Sequence, residues 1–186
     1  RNPGMGILQI DAHMDLRAAY EGFTYSHASI MYNAMQHPGV AKIVQVGIRD
    51  YCAEEVAKAE ELADRCSIFY DRDLKHAAYR GMSWAQQVDL IVAELPQKVY
   101  LSFDIDGLDP KLCPHTGTPV AGGLEVEQVL YLVEEVLASG RQLIGFDLNE
   151  VAPGPEGDWD ANVAARLLYR LANALGKANG RCTFAA

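Results

Sequence analysis

The sequence predicts an α/β protein with a parallel β-sheet and helices on both faces. Five short apolar runs are continuous rather than alternating, which is typical of strands buried on both faces of a parallel sheet. Segments with the 3.6-residue period of amphipathic helices separate these runs, and the short links imply right-handed crossovers. A length of 186 residues suits a single domain over residues 1–186.

Each apolar run is assigned to one strand. The predicted strands are Ile7–Ile10, Ile43–Val46, Ser67–Tyr70, Val99–Phe103 and Leu143–Leu148. A capping box at Ser83 and Gln86 predicts a helix over Trp84–Leu95. Three further helices are predicted from apolar stripes, with Gly176 expected to stop the last of them: Cys52–Ala63, Val126–Leu137 and Ala164–Leu175.

The composition favours a soluble globular protein and limits the classes of partner that it is expected to bind. Hydrophobic residues make up 49% of the chain, charged residues 22%, and the formal net charge is −9. Nucleic acids and anionic membranes bind clustered Lys and Arg, so neither is expected as a partner. The acidic balance suits a small cationic substrate, although many proteins are acidic for solubility alone.

Cysteine spacing and hydropathy indicate a cytoplasmic protein. The four cysteines form no C-x-x-C pair and no zinc-finger spacing, so we expect four free thiols in a reducing compartment: Cys52, Cys66, Cys113 and Cys182. No apolar run approaches the length of a membrane span, and no signal peptide precedes the first strand.

Polar residues follow the first predicted strand, at the edge where parallel sheets gather functional groups. Asp11, His13 and Asp15 lie at i, i+2 and i+4, so an extended backbone would project them to one side. Two carboxylates and an imidazole form half of a divalent-metal site. Acidic residues and histidines also cap helices and line turns, so this motif alone leaves both interpretations open.

Asp104 and Asp106, after the fourth strand, favour the metal interpretation. Two aspartates in the apolar Val99–Leu108 segment would repel one another unless a cation compensates them, and no Lys or Arg flanks them before Lys111. Two clusters on one edge can hold two ions roughly 3.5–4 Å apart. The oxygen-rich set favours Mn²⁺ or Mg²⁺ over zinc, with Fe, Co and Ni left open.

Glu150 follows the fifth strand and suits a cationic substrate. A carboxylate holds a planar guanidinium through two parallel hydrogen bonds. The alternative is a solvated glutamate beside the loop from Pro153 to Gly157, which is rich in Pro and Gly.

Together these motifs resemble the signatures of the ureohydrolases, the family of arginase, agmatinase and their relatives. The matching stretches are Asp11–Asp15, Ser102–Pro110, Glu150–Pro153 and the loop Thr116–Gly123. The resemblance covers essentially the whole chain and is strongest to agmatinases. It implies an arginase-like three-layer α/β/α fold, two divalent metal ions, expected to be Mn²⁺, and a homo-oligomer of three or six subunits.

The resemblance also assigns the metal ligands. Asp11 and Asp104 would bridge both ions. His13 and Asp106 would complete one site, and Asp15 would serve the other.

Three residues would act on the substrate by the same resemblance. Glu150 would orient the guanidinium, Asp106 would pass a proton to the departing amine, and His27 matches the histidine that relays protons to solvent. The implied reaction is metal-assisted hydrolysis that releases urea and an amine. From its position alone, a histidine just before a helix is more often a cap or a surface residue.

One family motif has no counterpart in this sequence. The remaining metal ligand of the family is a His in a Gly-Gly-Asp-His-Ser type motif upstream of the first strand, and no histidine here has that context. The N-terminal part of the family fold is therefore expected to be missing. We expect the site of Asp15 to be one ligand short and the first strand to expose an edge.

Substrate choice rests on Tyr25, which stands where arginases place an Asn that helps to bind the substrate carboxylate. We therefore expect agmatine, cleaved to putrescine and urea. Arginine, other guanidino acids and formiminoglutamate stay open, since Asp15-Leu16-Arg17 also occurs in relatives acting on the last of these.

Two hypotheses from other classes remain. The missing His motif allows a non-catalytic binding module that kept the fold. A deacetylase-type enzyme with one metal shares the fold, but the D-x-D-x-x-D-P pattern and Glu150 argue against it.

Overall fold

A computed structural model describes residues 2–155 and 157–181 and confirms the predicted α/β class. Five parallel strands form one sheet in the order β3-β2-β1-β4-β5. Every predicted strand lies within an observed one. The strands are β1 (Met5–Ile10), β2 (Val40–Ile48), β3 (Cys66–Tyr70), β4 (Lys98–Asp104) and β5 (Gln142–Asn149).

Helices fill every connection between consecutive strands. Ser83 forms the predicted capping box: its hydroxyl accepts the Gln86 N–H at 3.2 Å, and the Gln86 side chain accepts the Ser83 N–H at 2.8 Å. The helices are α1 (Ile30–Gln36), α2 (Ala53–Leu62), α3 (Asp71–Tyr79), α4 (Trp84–Ala93), α5 (Val126–Ala138) and α6 (Trp159–Ala178).

Two hydrophobic cores lie on opposite faces of the sheet, which confirms the three-layer arrangement. Alternate residues of β1 divide between them, with Leu8 and Ile10 in one core and Ile7 in the other. Residues of α4, α5 and α6 complete the larger core, and residues of α1 and α2 pack in the smaller one. The sheet is thus held between helices, and its carboxyl edge is left to carry the loops.

The expectation that the first strand exposes an edge is wrong. β1 lies in the middle of the sheet and pairs with β2 on one side and β4 on the other. The chain winds outward from β1 in both directions, so both neighbours of this strand come from later in the sequence. In the described part of the chain, the edge strands are β3 and β5.

Gly176 does not stop the last helix as predicted. A glycine within a helix costs only about 1 kcal/mol relative to alanine, and α6 continues to Ala178. The residue that terminates the helix is Gly180, two positions after Ala178, because its φ of 64° is left-handed. The Arg181 N–H then bonds to the Gly176 carbonyl at 2.8 Å, which completes a Schellman motif.

The cysteine prediction is confirmed for the thiols that the structure describes. Cys52, Cys66 and Cys113 are free, and Cys182 lies outside the described residues. Among the described helices, none has the length and apolarity to cross a membrane.

Candidate active site

Asp11, His13 and Asp15 follow the end of β1 in an irregular segment rather than in a continuous strand. β1 ends at Ile10, and Asp15 has a φ of 56°, in the left-handed region that non-glycine residues rarely adopt. The Asp15 carbonyl accepts N–H groups from Met31 and Tyr32 in α1, both at 3.1 Å. These two hydrogen bonds hold the unusual backbone of Asp15 against the first turn of α1.

Asp106 reaches the same place through a 3-10 turn, Ile105–Gly107, directly after β4. Gly107 packs so closely against β1 that a Cβ atom here would lie 2.8 Å from the Asp11 nitrogen. Only glycine permits this approach of the two backbones. Gly107 therefore allows the two aspartate clusters to come together, because it has no side chain to separate the backbones.

The five predicted metal ligands form two groups that share Asp11. One contains Asp11, His13 and Asp106, and the other contains Asp11, Asp15 and Asp104. Within each group the potential ligand atoms lie within 4.8 Å of one another. Asp11 thus has the position expected of a bridging ligand, whereas Asp104 belongs to one group only.

Hydrogen bonds hold the two buried aspartates of the first group in fixed orientations. Asp11 accepts the Gln9 amide at 2.7 Å and the His13 N–H at 2.7 Å. Asp106 Oδ1 accepts the Ala12 N–H at 3.3 Å. Asp106 Oδ2 is buried 3.2 Å from His13 Nδ1, and it has no hydrogen-bond partner in the part of the chain that the structure describes.

The buried carboxylates of the two ligand groups repel one another, which favours a bound cation. Burial and the charges of Asp11 and Asp104 raise the pKa of Asp15 to about 9. Burial and the neighbouring carboxylates likewise raise the pKa of Asp104 to about 8. Burial disfavours a charged His13, but Asp106 and Asp11 more than offset this and raise its pKa to about 10. A divalent cation would relieve this repulsion, and the buried Asp106 oxygen, which faces only the His13 imidazole among the described residues, fits such an ion together with its oxygen-rich neighbours.

Glu150 and His27 face the same cavity as these ligands. Glu150 follows β5 with a φ of 61°, and His27, which is exposed, packs edge-on against Tyr20 with ring centroids 5.4 Å apart. The cavity has a volume of about 120 Å³. Its walls are mostly polar and carry six carboxylates: His13, Asp15, Arg17, Tyr20, His27, Ala28, Asp50, Tyr51, Glu55, Asp104, Asp106, Thr118 and Glu150.

Tyr25, on which the substrate prediction rests, and His115, which was not predicted to be a ligand, both lie outside this cavity. Tyr25 does not line it, and its side chain is 88% exposed. His115 belongs to neither ligand group, and its Nδ1 lies 2.9 Å from Asp160 Oδ2 at the start of α6.

Sequence reasoning missed the polar residues that support the site. Arg49 and Asp50 follow β2 directly and could have been found as a fourth polar cluster at the end of an apolar run. Gln9 interrupts an apolar strand and bonds to Asp11. Glu55 is buried in the first turn of α2 and accepts the Leu16 N–H at 3.1 Å. This contact joins segments that are distant in the sequence, so no local pattern predicts it.

Curated relatives match this chain over about nine-tenths of its length. The chain is 40% identical over 167 residues to an N(1)-aminopropylagmatine ureohydrolase of Thermococcus kodakarensis, covering 90% of this chain and 53% of the relative. It is 33% identical over 168 residues to an agmatinase of Halalkalibacterium halodurans, covering 90% of this chain and 54% of the relative. The chain thus spans about half the length of these curated relatives.

The fold also matches solved structures of this group. The agmatine ureohydrolase of Thermoplasma volcanium superimposes with a TM-score of 0.77 at 27% identity, over 96% of this chain and 57% of that one. This match confirms the predicted arginase-like fold. The sequence model of the arginase family, finally, matches residues 1–173. The chain therefore belongs to the arginase family.

Proposed function

We propose that the protein hydrolyses a guanidino compound to urea and an amine, with two Mn²⁺ ions and with agmatine as its substrate. The observation that carries the proposal is the pair of ligand groups that share Asp11, because their other four members line one cavity together with Glu150 and His27. The names of the relatives support the same reaction class.

Five residues would hold the ions. Asp11 would contribute to both sites, His13 and Asp106 to one, and Asp15 and Asp104 to the other. When bound, the ions would lower the pKa of a water molecule and so supply hydroxide near neutral pH.

The residues of the chain itself bind the substrate and move protons. Glu150 would hold the planar guanidinium in a bidentate pair of hydrogen bonds and turn its carbon toward the ligand groups. Asp106 Oδ2, which makes no hydrogen bond among the described residues, would take up a proton and pass it to the departing amine. His27 is exposed at the cavity and would relay protons to solvent.

The charges of the cavity support a substrate without a carboxylate. Asp50, Glu55 and Glu150 add negative charge to the ligand groups. Arg17 is the one Lys or Arg side chain lining the described cavity, and it already lies 3.6 Å from Glu55 and over the Tyr20 ring. Agmatine, which is cationic and has no carboxylate, fits this negatively charged cavity. N(1)-aminopropylagmatine, named for several relatives, is the second candidate because it too lacks a carboxylate and carries an additional amine.

The test is urea release by the protein as its gene encodes it, with Mn²⁺ and each candidate substrate. We expect turnover of agmatine or N(1)-aminopropylagmatine to exceed that of arginine and 4-guanidinobutyrate at least tenfold. Absence of urea from all four compounds by protein with bound Mn²⁺ would contradict the proposal. Two ions without turnover would favour the non-catalytic module, and faster release of acetate from acetylpolyamines would favour the deacetylase type.

A further inference from the structure

Arg49 and Asp50, directly after β2, tie together the two loops that carry the ligand groups. The N–H groups of both residues donate to the Ala12 carbonyl, at 2.8 and 2.9 Å. Ala12 lies between Asp11 and His13, so these two hydrogen bonds fix the first ligand loop against the end of β2. The backbone at His13 and Asp50 forms a parallel bridge in the same place.

The Arg49 guanidinium extends to the second ligand loop. Among the described residues it bonds to backbone carbonyls and not to carboxylates, and three of its acceptors lie in or directly after the turn that carries Asp106. A planar group with five N–H donors can hold several carbonyls in a fixed arrangement, which a lysine cannot do. The acceptors are the carbonyls of Gly47 at 3.2 Å, Asp106 at 2.6 Å, Gly107 at 3.5 Å, Leu108 at 3.1 Å and Val120 at 2.9 Å.

The Asp50 carboxylate faces the imidazole of His13 from the side away from the other ligands. His13 Nδ1 points toward Asp11 and Asp106, at 3.4 and 3.2 Å, whereas Nε2 lies 3.7 Å from Asp50 Oδ2. A histidine that binds a metal through one nitrogen usually donates its other N–H to a carboxylate, which fixes the ring and its tautomer. Asp50 Oδ2 lies just beyond hydrogen-bond distance of Nε2, so a small movement of this exposed side chain would let it accept the Nε2–H group.

We propose that Arg49 and Asp50 are positioning residues for the group Asp11, His13 and Asp106. Arg49 fixes the turn that presents Asp106, and Asp50 fixes the ring of His13. Among the described residues, neither side chain hydrogen-bonds or pairs with Asp15 or Asp104, so their effect is selective for one of the two ions. This inference rests on the metal centre of the proposed function.

The test is a titration of the metal-free chain with Mn²⁺, in which the affinity of each ion is measured together with the melting temperature. Arg49→Lys keeps the charge but loses the planar fork, and Asp50→Asn keeps the size but loses the charge. We expect either change to weaken one of the two ions about tenfold or more and to leave the other within about twofold.

Arg65→Lys is the matched control. Arg65 also donates to backbone carbonyls, those of Met35, Ala41 and Val40, but at the opposite end of β2. A merely structural role of arginine would lower the melting temperature alike in Arg49→Lys and Arg65→Lys without changing either affinity. We expect Arg65→Lys to bind both ions as the unsubstituted chain does.

The outcomes separate this inference from the metal centre itself. Unchanged Mn²⁺ affinities in Asp50→Asn and in a folded Arg49→Lys would overturn the inference alone. Asp50 is 63% exposed at its side chain, so Asp50→Asn tests the inference even where Arg49→Lys does not fold. An unsubstituted chain that binds no Mn²⁺ would overturn the metal centre and this inference with it.

Discussion

The hydroxyl group of Thr116 donates a 2.8 Å hydrogen bond to the carbonyl oxygen of Glu150. Thr116 is buried, and Glu150 has a φ of 61°. A non-glycine residue in this region costs on the order of 1 kcal/mol or more and persists only where its surroundings hold it. The hydrogen bond therefore fixes the direction in which the proposed guanidinium-binding carboxylate leaves the backbone.

We expect Thr116→Val to raise the KM for agmatine about tenfold in the protein as its gene encodes it, because Glu150 loses its anchor while the ligand groups stay intact. Steady-state kinetics measure this change, and the Mn²⁺ content should equal that of the unsubstituted protein. Thr116→Ser is the control because it keeps the hydroxyl group. A KM unaffected by Thr116→Val would show that the anchor is unnecessary.

Gly107→Ala should weaken Mn²⁺ binding and lower the free energy of unfolding by about 1–3 kcal/mol. The new Cβ would lie 2.8 Å from the Asp11 nitrogen and force the Asp106 turn away from the first ligand loop. Metal titration and urea denaturation measure the two effects. Gly81→Ala is the control: Gly81 has a φ of 92° but no atom near its Cβ position, so this change should reduce stability without altering Mn²⁺ affinity.

Much of this architecture follows from the sequence because its signals are local. The five strands are continuous apolar runs, and the Ser83 capping box marks the start of α4 within a span of four residues. The ligand clusters were found in the same way, since strands that run parallel must end at one edge.

The residues that support the site could not be predicted, because their contacts join segments that are distant in the sequence. Arg49 lies 57 positions before Asp106, whose carbonyl it holds, and Glu55 lies 39 positions after Leu16. The lack of a flanking Lys or Arg in the sequence did not reveal that Arg49 reaches the Asp106 turn from the end of β2, where it bonds to backbone carbonyls rather than to the carboxylates. The central place of β1 likewise depends on the strand order, which apolar runs do not encode.

Asp104→Asn should stabilise the metal-free chain and reduce its stabilisation by metal. Asp104 is buried beside Asp11, Asp106 and Glu150, and its pKa is raised to about 8 by burial and by these charges. At pH 9 in EDTA, loss of the carboxylate should raise the free energy of unfolding by about 1 kcal/mol or more. With Mn²⁺, the same variant should show a smaller rise in melting temperature than the unsubstituted chain.

Asp109→Asn is the control for this comparison, since Asp109 is more exposed and belongs to neither ligand group. A metal-free Asp104→Asn chain that is less stable than the unsubstituted one, yet gains as much from Mn²⁺, would contradict the role of Asp104 as a ligand.

The metal-free chain should lose stability as the pH rises from 6.5 to 9. The pKa of Asp15 is raised to about 9 by burial and by Asp11 and Asp104, so the folded state holds a proton that the unfolded state releases. The pKa of His13 is raised to about 10 by Asp106 and Asp11 against the effect of burial, and this acts in the same direction above pH 6.5. Because the folded state binds more protons across this window, the free energy of unfolding falls with pH.

Urea denaturation in EDTA at several pH values measures this slope. Asp15→Asn should make this slope shallower, because one of the three groups whose pKa is raised into or above this window, Asp15, Asp104 and His13, no longer titrates. In saturating Mn²⁺ the free energy of unfolding should instead rise with pH, because the metal binds the deprotonated ligands and gains affinity as protons leave. A metal-free stability that rises between pH 6.5 and 9 would show that the buried carboxylates are not protonated in the folded chain.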